Sequence, residues 1–414
     1  MNILYVAARF PWPLERGDRV TAYELIRALR RAGHSITLLS CVDGREPPEA
    51  RGELERWCAR VETVHLSRAR SWAQAWVGLA SPLPSQVAFY RSARLRERAE
   101  RLFGESPDAV FAHMFRVAPA VAGCSHPARV LFLPDSFSMN LARGEALQPW
   151  WRRPGVAWER RRVAAYEVAS AREFREAWVV SPVDREELLG RGAANVRLVP
   201  HGVDARLFEV RPERSPEPRL MFLGNLSVPH NVDAAVFAAR EVLPRVRRRR
   251  PTATLWLAGA DPVRAVRALA AEAGVTVTGR VPALQPLWAA AHVMVAPLRF
   301  SAGIQNKVLE AMAAGVPVVT TPGVAAGLGE AAAWVRVAED ADGLAAEVEA
   351  LLADPATAAT RAAGAREHAR RNFSWDALAR EVERVVRESR AGNAGESPAA
   401  PARPVDPGGR FRGT

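Results

Sequence analysis

Short runs of valine, leucine, isoleucine and phenylalanine recur along this chain, each followed by a stretch whose apolar positions return every three or four residues. NILYVAAR (2–9) is the first run, AYELIRALRRAG (22–33) has the helical period, and SITLLSCV (35–42) is continuous again. The same pattern predicts strands at VETVHL, DAVFAHM, ARVLFLPD, EAWVVS and VRLVPHG. A second series opens with RLMFLGN (219–225) and a helix over DAAVFAAREVLPRVRRR, then continues through strands at TATLWLAG, VTVTGRV, VMVAPL and VPVVTT. Strands apolar on both faces, alternating with helices, are what a parallel sheet covered on both sides requires. The expected fold class is therefore α/β, with two doubly wound units in tandem.

FEVRPERSPEPR (208–219) is polar and proline-rich, the composition of a linker. It divides the chain into residues 1–208, a connection at 209–218 and a second unit at 219–374. Residues 391–414 are poor in apolar side chains and rich in proline and glycine, which predicts a disordered tail. Open sheets of this kind bind ligands beyond the carboxyl ends of their strands. Two of them joined by a linker imply a cleft between those ends, with hinge closure on a ligand.

Composition changes this picture in a few places. With 414 residues, 49% hydrophobic and 25% charged, the chain has material for two cores. No apolar run reaches the roughly 18 residues of a transmembrane helix. MNILYVAARF lacks a basic leader and reads as a buried strand rather than a signal peptide. Cys41, Cys58 and Cys124 show no metal-ligand spacing, so free thiols in a reducing cytoplasm are expected. The formal charge is +12, yet the arginines are dispersed except at RVRRRR (245–250) and ERRR (159–162). No helix-turn-helix, RNP or zinc pattern accompanies them, so an anionic lipid surface is a better partner than nucleic acid. Walker A, G-x-G-x-x-G, G-x-S-x-G and H-E-x-x-H patterns are all missing.

Of 57 basic residues, Lys307 is the only lysine. It lies in GIQNKVLEAMAAGVPVV (303–319), near the start of a helix expected from about Gln305. Val308, Ala311 and Met312 form the apolar face and leave Lys307 and Glu310 together on another. A surface ion pair three residues apart contributes only about 0.2–0.5 kcal/mol. The helix dipole disfavours a cation at that end, and lysine before glutamate is the weaker order. An anion at the helix N-terminus resolves the conflict. Backbone N–H groups of residues 303–306 would face phosphate oxygens, Lys307 would add charge, and Gly303 would admit close approach. Glu310, one turn on, could accept hydrogen bonds from the vicinal hydroxyls of a ribose. Phosphate plus ribose predicts a nucleotide.

GIQNKVLEAMAAGVPVVTTP resembles the nucleotide-sugar motif of GT-B glycosyltransferases of family 4 (glycosyltransferases group 1). GDRV, AGHSITLLS, VVSPVDREEL, VPHGVDARLF, VTVTGRVPALQPLWAAAHVMVAPL and NFSWDALAREVERVV follow in the family's order and carry the resemblance to about residue 390. RFPWPLERGDRV, NLSVPHNVDAAVFAAREVLPRV and GIQNKVLEAMA look, more narrowly, like sugar transferases of exopolysaccharide and PEP-CTERM (exosortase) loci. The resemblance implies a GT-B fold, two Rossmann-like domains facing each other across a cleft. A helix at about 375–390 is expected to pack back on the first domain.

It also implies a donor site of Gly303, Ile304, Gln305, Asn306, Lys307, Glu310, Asn225 and Arg280. Glu310 matches the second glutamate of the family's E-x7-E motif, which binds the donor ribose, whereas the first falls on Ala302. Where relatives clamp the diphosphate with an arginine and a lysine, this chain has Gly224-Asn225 and Pro229-His230-Asn231. Lys307 therefore becomes the leading phosphate ligand, with the helix dipole beside it, and only a His230 imidazolium could add a further cation there. Candidate catalytic residues are Lys307, Glu310, Asp135 and His113. Asp135 follows the strand VLFLP, where many relatives have a histidine near the reacting carbon, although a helix cap accounts for it equally well. His113 ends DAVFAHM and either faces the cleft or lies in the core. Arg280 is positioned for the base edge, or is an exposed loop arginine. Gly17, Asp18 and Arg19 are expected in a cleft-facing loop, where a turn glycine with a capping aspartate fits as well.

The implied reaction is metal-independent, cofactor-free transfer of a sugar, with retention, from a nucleotide-sugar donor to a lipid-linked or glycan acceptor. The implied place is the cytoplasm, peripheral at the inner face of the membrane. SWAQAWVGLASPLPSQVAFYRSARLRER (71–98), with Trp72, Trp76, Phe89 and Tyr90 among arginines, suits such a surface. A helix burying its tryptophan face would look the same. Two other functions fit the fold: a sugar-nucleotide 2-epimerase, and a nucleotide-sugar-binding module that has lost catalysis.

Overall fold

The computed structural model describes residues 1–14, 17–124, 126–134, 136–145, 148–200, 202–300 and 304–393. Among them, thirteen strands form two parallel sheets. The first contains β1 (Asn2–Ala7), β2 (Ser35–Val42), β3 (Arg60–His65), β4 (Ala109–His113), β5 (Arg129–Leu133), β6 (Glu176–Val179) and β7 (Val196–Leu198), in the order β3-β2-β1-β4-β5-β6-β7. The second contains β8 (Arg219–Leu223), β9 (Thr254–Ala258), β10 (Val275–Gly279), β11 (Val293–Ala296), β12 (Val318–Thr320) and β13 (Arg336–Val337), in the order β10-β9-β8-β11-β12-β13. Every expected strand is present: β2 covers the whole of its run, β3 starts one residue early, and most others are trimmed at their ends. β13 has only two residues and no apolar run to betray it.

Strand order reverses between β1 and β4 in one sheet and between β8 and β11 in the other. Connections leaving neighbouring strands there turn to opposite faces, which opens a crevice at the strands' carboxyl ends. The two crevices face each other, and residues from both line one cleft.

Helix boundaries carry two corrections. The first helix spans Gly17–Arg31, so Gly17, Asp18 and Arg19 form its opening turn rather than a loop. Gly17 has no positive φ, which removes the turn-glycine reading. Asp18 suits the positive end of the helix dipole. The helix expected over 233–249 begins at Pro229 and contains a wide turn at Ala238–Val242, where the Leu243 N–H reaches back five residues to Ala238. Pro244 follows at once, and a proline inside a helix has no N–H to give the preceding turn.

The last helix, Trp375–Asn393, leaves the second domain and packs on Gly17–Arg31 of the first. Glu383 meets His34 at 2.8 Å and Arg384 meets Glu176 at 2.6 Å. This helix ends three residues beyond the expected 390, and residues 394–414 lie outside the described residues. The chain thus crosses between domains twice, and the crossings touch: the Val203 N–H donates to the Phe373 carbonyl at 2.9 Å. A Cβ on Gly202 would come within 2.3 Å of the Trp375 nitrogen, so only glycine fits there. Among the described residues no helix is long and apolar enough to cross a membrane. The three cysteines are free thiols.

Candidate functional site

The interdomain cleft has a volume of about 560 Å³. The first domain contributes Leu14, Gly17, Asp18, Thr21, Met114 and Pro134. The second contributes the turn after β8 (Gly224, Asn225, His230, Asn231), Arg280 after β10, and Ile304, Gln305, Asn306, Lys307 and Glu310 around the helix Asn306–Ala314. The turns after β8 and β9 touch backbone to backbone. Gly259 has φ +137°, and a Cβ there would lie 1.8 Å from the Gly224 carbonyl oxygen. This flat floor leaves the side chains around it free to face a ligand.

Lys307 is only 9% exposed, and its Nζ donates to Asn231 Oδ1. The ammonium also lies 5.1 Å from the centre of the Phe222 ring, within cation–π range. Asn231 is itself fixed, because its Nδ2 donates to the Asn225 carbonyl at 2.9 Å. Asn225 Oδ1 in turn accepts from the Ser227 N–H at 2.9 Å and the Ser227 hydroxyl at 2.7 Å. A short relay from the β8 turn therefore aims the lysine. Burial lowers the Lys307 pKa to about 7, against the opposing pull of Glu310.

Glu310 does not pair with Lys307, and no ion pair joins them among the described residues. Burial raises the Glu310 pKa to about 7, and its Oε2 has neither solvent nor a hydrogen-bond partner. His230 adds no further cation. Burial, and then the Lys307 charge, lower its pKa to about 4, so the imidazole is neutral at pH 7. Gln305 precedes the helix but makes no side-chain cap. Arg280 sits at the rim, largely exposed, with Asp261 at 3.9 Å. Gly303, Ala302 and Asp135 lie outside the described residues.

On the first-domain wall, Asp18 meets Arg9 at 2.8 Å and Arg116 at 3.7 Å. Burial alone would raise its pKa, but the two guanidinium groups hold it below the usual carboxylate value. Arg9 Nε also donates to the Tyr90 hydroxyl at 2.9 Å, and Arg116 Nε to Gln86 Oε1 at 2.7 Å. His113 is buried behind Met114, with Nδ1 2.8 Å from the Tyr5 hydroxyl. Its Nε2 has no partner and borders a small gap shared with Arg9, Asp18 and Arg116. Burial lowers its pKa to about 4, which keeps the ring neutral. Met114 has φ +72°, a strained value for a side chain of this kind, at the edge of the cleft.

Two residues that sequence reasoning passed over organise these walls. One is Asn231, the anchor of Lys307. The other is Glu167, fully buried, which accepts from the Phe137 N–H at 2.7 Å and the Ser138 N–H at 3.4 Å. It caps the helix Phe137–Glu145 and so holds the segment following Pro134. Burial raises its pKa to about 7. A glutamate among the apolar residues of VAAYEVASA was the available signal.

Residues 16–203 match the family model described as a glycosyl transferase 4-like domain, and residues 217–354 match glycosyl transferases group 1. The chain carries both domains of a GT-B glycosyltransferase. Glycogen synthase of Mycobacterium tuberculosis is 29% identical over 419 residues, which cover 95% of this chain and 96% of that one. Among solved structures, sucrose-phosphate synthase of Thermosynechococcus elongatus superposes with a TM-score of 0.65 at 19% identity, covering 94% of this chain and 99% of the other. HepE of Anabaena, in complex with UDP and glucose, gives 0.62 at 15% identity, covering 96% and 100%.

A second cavity in this glycosyltransferase, about 940 Å³, lies wholly within the first domain. Arg19 lines it instead of the interdomain cleft, together with Arg9, Arg45, Arg68 and Arg116. Phe10, Phe89 and Tyr90 supply apolar wall, and Trp72 sits at the mouth with its ring 5.4 Å from Phe89. The aromatic segment at 71–98 therefore divides: Phe89 and Tyr90 face the cavity, whereas Trp76 is exposed. The gap beside His113 shares Asp18 and Met114 with the cleft and Arg9, Arg19 and Arg116 with this cavity, so it lies between the two, and at about 10 Å³ it has room for one water at most.

Proposed function

We propose that this glycosyltransferase moves a hexose from a nucleoside-diphosphate sugar to a lipid-linked or polysaccharide acceptor. We assign it to exopolysaccharide synthesis in the cytoplasm, with retention at the anomeric carbon and without a metal. One observation carries the reading: a buried ammonium and a buried carboxylate oxygen line the same cleft, and among the described residues neither makes an ion pair. A diphosphate supplies the anion that Lys307 lacks, and ribose hydroxyls supply the donors that Glu310 lacks.

As the sugar leaves, negative charge gathers on the diphosphate, and stabilising it is the main electrostatic task. Lys307 and the first turn of its helix perform it. Bound anion favours the protonated lysine, so donor binding takes up a proton near neutral pH. The acceptor is assigned to the first-domain side of the cleft, where Asp18 lines the wall. Asp135 is assigned to the sugar itself. HepE was solved with UDP-glucose, which makes UDP the first ligand to try.

The test is a thermal shift with UDP, followed by nucleoside diphosphate release from a donor panel, for the wild type and Lys307→Ala. The expected result is a shift and turnover in the wild type and loss of both in the variant. Full activity in the variant overturns the role of Lys307. Acceptor-free epimerisation of the donor would replace transfer with the epimerase reading.

A further inference from the structure

The largest exposed apolar side chains gather in two segments of the first domain. Trp72, Trp76, Val77 and Leu79 lie on and after the helix Arg68–Val77, and Trp150, Trp151 and Trp158 around the start of the helix Arg153–Arg172. Trp76 is 71% exposed and Trp150 80%. An apolar patch of this kind marks an interaction surface.

The two segments adjoin. Arg162 reaches from its helix into the turn after Val77, donating to the carbonyls of Gly78 at 2.6 Å and Ser81 at 2.8 Å, while its guanidinium stacks 4.1 Å from the Trp158 ring. The Ser85 N–H closes the seam by donating to Glu159 at 2.6 Å.

Charge names the partner. Residues 68–80 and 148–162 hold seven arginines and one glutamate, a net +6 and half of the chain's formal +12. Asp43 and Glu145 from neighbouring segments take Arg68 and Arg160, which still leaves +4. Tryptophan with arginine is the pairing that sits at the headgroup level of an anionic bilayer. A nucleic acid would also attract arginine and stack on tryptophan. Val77 and Leu79, though, are aliphatic and match acyl chains rather than bases.

We propose that this face seats the enzyme on an anionic membrane. The tryptophans enter the headgroup layer, and the arginines meet lipid phosphates. Trp72 belongs both to this face and to the mouth of the 940 Å³ cavity. A lipid-borne acceptor therefore enters the cavity directly from the bilayer, the one respect in which the proposal rests on the function above.

The test is co-sedimentation of the full chain with phosphatidylcholine vesicles, with and without phosphatidylglycerol, alongside the double variant Trp76→Ser/Trp150→Ser. Neither tryptophan lines the cleft or the cavity. The wild type should bind the anionic vesicles and not the neutral ones, and the double variant should partition at least about tenfold more weakly. Both proteins should keep the same thermal shift with UDP. Equal binding by variant and wild type overturns the proposal, as does binding to single-stranded oligo(dT) that matches the vesicles. Absence of any UDP shift alongside intact vesicle binding would fault the donor site and leave the docking face standing.

Discussion

The two walls of the cleft handle charge in opposite ways. On the first-domain wall Asp18 lies between Arg9 and Arg116, and both arginines have further polar partners in Tyr90 and Gln86. On the second-domain wall Lys307 meets an amide oxygen and the face of a ring, and Glu310 has an oxygen shielded from water with no donor. A buried polar group left unsatisfied costs about 1–3 kcal/mol, and more when it is charged. Such a cost persists where something outside the fold repays it. The charges of the first wall are paired within the fold, and those of the second form a socket.

The strongest way to break this contrast is Lys307→Ala. Nucleoside diphosphate release should fall about a hundredfold or more in steady-state assays, with little change in thermal stability. A loss below about threefold would make the two walls equivalent. Glu310→Gln should weaken donor binding by roughly ten- to a hundredfold, the range for hydrogen bonds to a charged group, seen as a raised KM. Asn231→Ala keeps the lysine but removes its anchor, and about a tenfold loss of kcat/KM is expected.

A pH titration sharpens the comparison with a smaller effect. The folded pKa of Lys307 is lowered from 10.5 to about 7, so the free enzyme loses this proton as the pH rises through neutrality. Affinity for UDP should therefore fall severalfold between about pH 6.5 and 8.5. Calorimetry in buffers of different ionisation heat should report proton uptake in the upper part of that range, where the free lysine is neutral, and little at about pH 6.5. On the other wall, Asp18→Asn should cost about 1–2 kcal/mol in urea denaturation at neutral pH, a value reduced for partial exposure. Asp18 has a lowered folded pKa, so it contributes stability above its unfolded pKa and loses it as the pH falls through the folded value. The two proteins should converge in acid.

How much could be read in advance depended on range. Strands were legible because burial on both faces leaves continuous apolar runs, and the two residues of β13 were too few to leave one. Lys307 and Glu310 stood out because they contradict their own helix, a local conflict visible within four residues. Asn231 did not, since its bond to Lys307 spans 76 positions in the chain. The protonation of His230 was open for the same reason, because it depends on burial and on that distant lysine. The start of the first helix was placed late because GDRV has no apolar period, although Asp18 was available as a first-turn acid. Trp150, Trp151 and Trp158 follow no regular spacing, and only folding brings the helix Arg153–Arg172 against the turn after Val77.

The paired crossings at Gly202 and Trp375 set an order of assembly. The helix Gly17–Arg31, made early, is covered by Trp375–Asn393, made last. At ~5–20 residues per second, the ribosome needs on the order of ten seconds or more to travel from Val203 to that helix. Throughout that interval the first sheet is complete but one of its outer faces is bare, while the second domain, contiguous in sequence, can close by itself. A nascent chain stalled before Trp375 would therefore hold a finished second domain and an unfinished first domain.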